Sequence, residues 1–435
     1  MNSLAEKLNK SLEPTVIGRL LSETGRRLFF PKGIVAQSAE AKSKAHRFNA
    51  TAGMAYKEGV PLILPSAAAL THHFHPSESV AYAPTPGVAE LRKRWKEEMV
   101  KKNPSLRGKT TSTPLVTSGL TNGIVHVAEL FVDTGDPVVM PDMFWGNYRL
   151  IFEHRKGARI ETFPFFSEGG GFNLEGFSVS LEAAAAERKK VVLLLNFPNN
   201  PTGYSPSAAE VTGIVDRLKK LADAGVDILV IADDAYFGLF FEPEVATESI
   251  FASLVDAHER ILAIKVDGAT KEDFAWGLRV GFLTFGNLAL ESEAIDALEQ
   301  KFIGSLRAIV SNTSNLSQHL LLKVMADSSY YEQKEKARKV LEERYRTIKS
   351  WLGEKAPLHQ GSPLEPLPFN SGYFMSFRCR GIDAEELRLA LLERGIGTIS
   401  IGGAYLRVAF ASVDRESLPE LFDEIYAAAE ELAQP

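Results

Sequence analysis

The sequence predicts an α/β protein in which a large unit holds a mostly parallel sheet between helices and a smaller α/β unit follows. Three observations carry this. From about Ala89 to Gly286 helical patterns alternate with short β-branched runs. Two of those runs, Val191–Leu195 and Ile228–Ala232, are unbroken apolar segments, as expected of strands covered by helices on both faces. After Asn287 long helical stretches replace the alternation.

Taken in order, MNSLAEKLNKSLEPTVIGRLL mixes acids and bases among apolar positions and reads as an amphipathic arm, Met1–Lys32, without the apolar core or cleavage site of a secretory signal. Strands are expected at Pro137–Met140, Arg159–Phe165, Lys190–Phe197, Asp227–Asp234, Ile261–Asp267 and Arg279–Phe285. The segment beginning at Tyr330, YYEQKEKARKVLEERYRTIKSWLG, has charges spaced for i,i+4 pairing and reads as a connecting helix. Beyond the proline-rich Pro357–Pro368 come a strand-like SGYFMSFRC and a helix at about Asp383–Arg394. Strands near Ile396–Ile401 and Tyr405–Phe410 and a terminal helix from about Glu416 complete the chain. The expected division is 1–60 for the N-terminal arm and part of the small domain, 61–330 for the large domain and 331–435 for the small C-terminal domain.

With 435 residues, 45% apolar and 24% charged, the chain has the composition of two or three folded domains. The 49 Lys+Arg against 55 Asp+Glu give a net charge of −6, which attracts neither phosphate backbones nor anionic membranes. Neither nucleic acid nor membrane is an expected partner. No apolar run approaches the ~18 residues of a membrane span. A lone cysteine, Cys379, suits a reducing cytosol, so the expected location is the cytoplasm.

In open parallel sheets ligands gather at the carboxyl ends of the strands. The run VVLLL is followed there by NFPNNPTG, Asn196–Gly203; the next ends in DDAY, with Asp233, Asp234 and Tyr236; the third ends in DGATKEDFAWGLRVG, with Lys271 and, eight residues later, Arg279. Thr117–Gly123, TSGLTNG, precedes a helical pattern, and its glycines, hydroxyls and helix N-terminus form a place for a phosphate. Trp145 in PDMFWGNY lies at another strand end, where its ring can stack on a flat cofactor or simply fill the core. Lys265 competes with Lys271, and Asp234 with Asp233. The cluster HHFH, His72–His75, has no acid or cysteine at a ligand interval, and no metal is expected.

Together these segments resemble the class I/II aminotransferases of the aspartate aminotransferase type, fold type I enzymes that use pyridoxal 5′-phosphate. The resemblance runs from about Tyr82 to Arg407. It implies that Lys271 forms a Schiff base with the cofactor, that Asp233 pairs with the pyridine nitrogen, that Asn200 and Tyr236 hydrogen-bond the ring hydroxyl and that Trp145 stacks on the ring. Gly119, Leu120, Thr121 and Arg279 would hold the phosphate, and Tyr82 in YAPTPGVAELR would reach a partner subunit's phosphate in a homodimer with shared sites. Arg407 in YLRVAF matches the arginine that grips a substrate α-carboxylate, with Asn200 and Trp145 beside it. Arg307 stands where such enzymes read a distal carboxylate across the dimer interface, or else is a helix-surface arginine.

The chemistry requires these types. A lysine amine must be neutral to bond a carbonyl and carry a proton, so burial and neighbouring cations should lower its pKa. A carboxylate keeps a pyridine nitrogen protonated, and an arginine fork matches a carboxylate with two parallel bonds. Three features depart from the family. Gly268 and Thr270 replace two serines common around the lysine, Glu272 and Asp273 directly follow it, and Tyr148 stands where close aspartate aminotransferases carry histidine.

The resemblance implies ping-pong transamination between an L-amino acid and a 2-oxo acid, with dicarboxylic substrates such as aspartate and glutamate favoured and aromatic ones admitted. The alternatives are a β-eliminating C–S lyase on the same fold and, more remotely, a non-catalytic cofactor-sensing regulator. The regulator would need a helix-turn-helix module, of which the stretch before Tyr82 gives no sign.

Overall fold

The computed structural model describes residues 3–29, 56–57, 60–61, 74–355 and 361–434. A two-residue hairpin, β1 (Tyr56–Lys57) with β2 (Val60–Pro61), stands apart from two larger sheets. The first of these has seven strands: β3 (Leu115–Thr117), β4 (Pro137–Pro141), β5 (Arg159–Phe163), β6 (Lys190–Asn196), β7 (Asp227–Asp233), β8 (Ile261–Gly268) and β9 (Gly281–Gly286). Their spatial order is β3-β9-β8-β7-β6-β4-β5, and β9 alone runs antiparallel to its neighbours.

The apolar runs explain the layering. Val192 and Leu194 of β6 and Leu229 and Ile231 of β7 point into one core, and Val191, Leu193, Ile228 and Val230 point into another on the opposite face. Both strands are therefore buried on each side, which leaves no room for polar alternation. In chain order the helices are α1 (Ser3–Leu12), α2 (Val16–Leu20), α3 (Glu23–Arg27), α4 (Pro76–Ser79), α5 (Ala89–Lys102), α6 (Leu120–Phe131), α7 (Leu174–Glu187), α8 (Ala208–Asp223) and α9 (Ile250–Leu254). They continue with α10 (Ala269–Glu272), α11 (Ser292–Ile309), α12 (Asn315–Ala326), α13 (Tyr330–Lys355), α14 (Ala384–Glu393) and α15 (Leu418–Leu432). Ile124 of α6 and Leu298 of α11 join the first core, Phe177 of α7 and Ile214 of α8 the second.

The second sheet is antiparallel, with β10 (Leu364–Pro366), β11 (Met375–Cys379), β12 (Ile399–Ile401) and β13 (Tyr405–Val408) in the order β10-β11-β13-β12. Phe377 packs on Phe422 and Tyr426 of α15, and α13 presents Tyr345, Ile348 and Trp351 to the same core. The arm lies against the large sheet's helices: Ser22 N–H donates to Leu130 O at 2.8 Å, and Lys301 donates to the carbonyls of Arg26 (3.0 Å) and Leu28 (2.7 Å). Its expected last residues, 30–32, fall outside the described chain.

Two details differ from the expected elements. The three-residue strand β3 is too short to show a period in the sequence. The run expected from Arg279 enters the sheet only at Gly281, because Arg279 has φ 53°, a left-handed conformation that a strand cannot contain. Among the described residues no helix is long and apolar enough to cross a membrane.

Candidate active site

The parallel register brings the carboxyl ends of β6 and β7 level, with Asn196 opposite Asp233. Asn196 then acts as a spacer: its amide donates to Asp233 O at 2.8 Å, and its carbonyl accepts from Asn200 N–H at 2.8 Å. The NNPTG turn is closed by Asn199, whose side chain accepts from the Thr202 N–H (3.1 Å) and hydroxyl (2.8 Å), and this fixes Asn200 at the strand end. The Asp233 carboxylate is buried, accepting from the Tyr148 hydroxyl at 2.5 Å and Ala235 N–H at 3.1 Å. Burial pushes its pKa above the ordinary range, against the Tyr148 bond and the charge of Lys271. No ion pair within 4.0 Å involves it among the described residues, so the lysine charge that favours its ionised form acts from farther off.

β8 delivers Lys271 on the one-turn helix α10. The amine lies 4.9 Å from the centre of the Tyr236 ring, and Tyr373 OH donates to the Lys271 carbonyl at 3.2 Å. Burial lowers the amine's pKa, Asp233 opposes this, and Arg279 adds to it. The expected cause is thus present with burial leading and the cation secondary. Leu120, Thr121, Trp145, Asn200, Asp233, Tyr236, Lys271 and Arg279 all line one cavity of about 240 Å³, together with Tyr148 and Thr270.

One end of that cavity is built for an anion. Gly119, at φ 82°, caps α6, whose first-turn N–H groups have no partner within the helix. That φ favours glycine, and a Cβ on Gly119 would lie 2.4 Å from Arg279 Nη2, so the bare turn lets the guanidinium close over it. Gly268 has a similar origin. A Cβ there would come within 2.7 Å of Val280 O and 2.9 Å of Gly281 Cα, so the β8–β9 pairing leaves no room for a serine at this point. The neighbouring Thr270 hydroxyl is buried and without a partner among the described residues, facing the same cavity.

Arg407 on β13 reaches this place from the small sheet. Its Nη1 donates to Asn200 Oδ1 at 3.0 Å, its guanidinium lies 4.4 Å from the centre of the Phe374 ring, and its buried Nε has no partner among the described residues. Burial lowers its pKa from the ordinary arginine value, with Tyr236 opposing.

Some expected residues lie elsewhere. Tyr82 is 68% exposed, away from its own chain's cavity. Arg307 is exposed and donates to Ser311 Oγ at 2.6 Å. Lys265 is fully buried, ion paired with Asp234 and, at 3.1 Å, with Asp267, which removes both Lys265 and Asp234 from the cavity. Glu272 and Asp273 turn away from Lys271: Glu272 meets Lys102 (2.9 Å) and Lys334 (2.7 Å), and Asp273 meets Lys334 (3.1 Å) and Tyr330 OH (2.5 Å). Of the HHFH cluster, His72 and His73 lie outside the described residues, while His75 accepts from Ser77 N–H to cap α4.

The family description "Aminotransferase class I and II" matches residues 57–425. The chain belongs to the class I and II aminotransferases. An aspartate aminotransferase from Thermotoga maritima is 25% identical over 357 residues, covering 80% of this chain and 82% of its own. A solved aminotransferase from Anaerococcus prevotii shares the fold with a TM-score of 0.74 at 23% identity, covering 100% of this chain and 97% of its own. An α-aminoadipate aminotransferase from Thermus thermophilus, solved with N-(5′-phosphopyridoxyl)-L-leucine, has a TM-score of 0.65 at 21% identity, covering 99% and 95%.

Members of this family use pyridoxal 5′-phosphate, and the aminotransferase cavity fits it. Asp233 is a buried acid with no ion pair within 4.0 Å among the described residues, the Arg279 guanidinium closes over the Gly119 turn at the start of α6, and the Thr270 hydroxyl has no partner among the described residues. Sequence reasoning missed Tyr148 as the partner of Asp233, although it had marked that position as unusual. Tyr148→Phe keeps the ring and removes the bond, so the cofactor dissociation constant should rise roughly tenfold, the size of one hydrogen bond to a charged group. Titration of the cofactor-free variant followed by visible absorbance measures this, and unchanged affinity would deny Tyr148 the role.

Proposed function

We propose that the enzyme transfers amino groups between an L-amino acid and a 2-oxo acid by a ping-pong mechanism at Lys271, as a cytoplasmic homodimer in which Tyr82 reaches the partner's phosphate site. The domain division 1–60, 61–330 and 331–435 belongs to the same reading. The observation that carries it is the convergence of Lys271, Asp233, Tyr236 and Arg279 on one cavity, with Arg407 bonded to Asn200 at its edge.

Gly119, Leu120, Thr121, Thr270 and Arg279 would hold the cofactor's phosphate, Asp233 its ring nitrogen, Asn200 and Tyr236 its hydroxyl, and Trp145 its face. When bound, pyridoxal 5′-phosphate supplies a ring that accepts the electron pair released at the substrate Cα. Burial pushes the Tyr236 phenol up, so it remains a donor at working pH. The lowered pKa of Lys271 raises the share of neutral amine that can take a proton from Cα and return it. Arg407 keeps N–H groups free for an α-carboxylate, and the Phe374 face fixes its plane, which orients the Cα–H bond.

Dicarboxylic amino acids are the favoured substrates, with Arg307 of the facing subunit reading the distal carboxylate. Arg407→Ala should lower kcat/KM roughly 10²-fold for aspartate, alanine and phenylalanine alike, because each carries an α-carboxylate. Arg307→Ala should impair aspartate roughly tenfold or more and spare alanine. Equal losses in Arg307→Ala would show that it does not read the side chain. The assay with 2-oxoglutarate also separates the reaction class: transamination stops at one equivalent per site without an acceptor, whereas a C–S lyase releases ammonia and pyruvate from a cysteine conjugate with none present.

A further inference from the structure

The two acids that follow Lys271 are the least expected feature of its surroundings, and the packing behind α10 gives Glu272 a purpose. α10 is four residues long, too short to hold itself by its own hydrogen bonds. It begins at the close-packed Gly268 and is followed by Phe274 at φ 54°, a conformation that a phenylalanine keeps only when its surroundings impose it. The Lys271 amine makes no ion pair within 4.0 Å among the described residues; the charged groups that face it are Asp233 and Arg279, with the phenol ring of Tyr236 beneath. Its position is therefore set by the backbone turn that carries it.

What holds that turn from behind is Glu272. Its carboxylate is buried between Lys102, the last residue of α5, and Lys334, in the first turns of α13. The two lysines hold its pKa down at about 2, against burial, so it stays charged at any working pH. Gly238 makes room for it: a Cβ there would sit 3.3 Å from Glu272 Oε1, and this glycine is two residues past Tyr236. One side chain thus touches the helix that ends at Lys102, the helix that begins at Tyr330 and the loop that presents the Tyr236 ring. We propose that Glu272, clamped between Lys102 and Lys334, is a positioning residue that fixes the Lys271 amine over Tyr236 and beside Asp233.

This rests on the reading of Lys271 given above, and the test keeps the two apart. In the full chain freed of cofactor, the pH at which Lys271 is half-labelled by acetic anhydride is read by peptide mass, and the rate of pyridoxal 5′-phosphate capture by borohydride trapping. In the wild type Lys271 should half-label below the ordinary lysine value of about 10.4. Glu272→Asp keeps the charge but shortens the reach. It should move the half-labelling pH upward toward that value and slow capture roughly tenfold or more, the cost of misplacing a reacting group by a fraction of an ångström to an ångström. Glu272→Gln keeps the reach and removes the charge; its readout is the capture rate, which should slow likewise, because two uncompensated lysines by themselves lower the Lys271 midpoint. Glu335→Gln, which loses a charge in the exposed pair with Arg338 on the same helix, should match the wild type. Lower thermal stability with an unchanged Lys271 midpoint and capture rate would overturn the proposal. If Glu272→Gln does not fold, Glu272→Asp decides alone. A wild type that labels Lys271 as an ordinary lysine and captures no cofactor there would refute the reading of Lys271 itself, a different pattern of results.

Discussion

Lys271→Ala should lower turnover roughly 10⁴-fold or more. A positioned proton carrier alone contributes up to about that factor, and the change also removes the covalent attachment of the cofactor. The protein should remain folded, because among the described residues the amine makes no ion pair within 4.0 Å and lies 4.9 Å from the centre of the Tyr236 ring. It should also still bind pyridoxal 5′-phosphate, since the Gly119–Thr121 turn, Arg279 and Asp233 are untouched. A steady-state assay with aspartate and 2-oxoglutarate checks the first point, and circular dichroism and cofactor titration check the other two. Retention of more than about a hundredth of wild-type turnover would contradict the role, on the scale of such contributions.

Asp233→Asn should cost roughly 10³-fold in kcat, the scale of losing one partner of a buried charge pair. Asparagine fits the space: its one carbonyl oxygen can still accept from Ala235 N–H, and its amide can donate to the Tyr148 hydroxyl oxygen, so folding should survive. What it cannot do is balance a proton on the ring nitrogen, and without that proton the ring is a weaker electron sink. The loss should fall on kcat more than on KM, because the α-carboxylate site at Arg407 is intact. A variant with an unchanged kcat and a raised KM would place Asp233 in substrate binding instead.

Much of this arrangement was legible because it is local in sequence. The unbroken apolar runs before Asn196 and Asp233 identify central strands, and their carboxyl ends place Asn200, Asp233 and Tyr236 side by side. The interval from Lys271 to Arg279 survives as a structural pair because the left-handed turn at Arg279 returns its guanidinium over Gly119. The contacts that were not legible join distant parts of the chain. Tyr148 meets Asp233 from 85 positions away, and Glu272 meets Lys102 from 170 and Lys334 from 62. No local period encodes such pairs. Lys265 was a fair rival from sequence alone, and only its ion pairs with Asp234 and Asp267 show that it serves the core behind the site. Gly268 departs from the family pattern in sequence, and the approach of Val280 and Gly281 gives it a packing reason.

The central claim is that the cofactor's carbonyl bonds to Lys271. Reduction of the loaded protein with borohydride, digestion and peptide mass analysis test it most directly. The account predicts a phosphopyridoxyl group on Lys271 at close to one per chain, with Lys265 unmodified behind its two aspartates. A label on Lys265, on another lysine, or on none would contradict it.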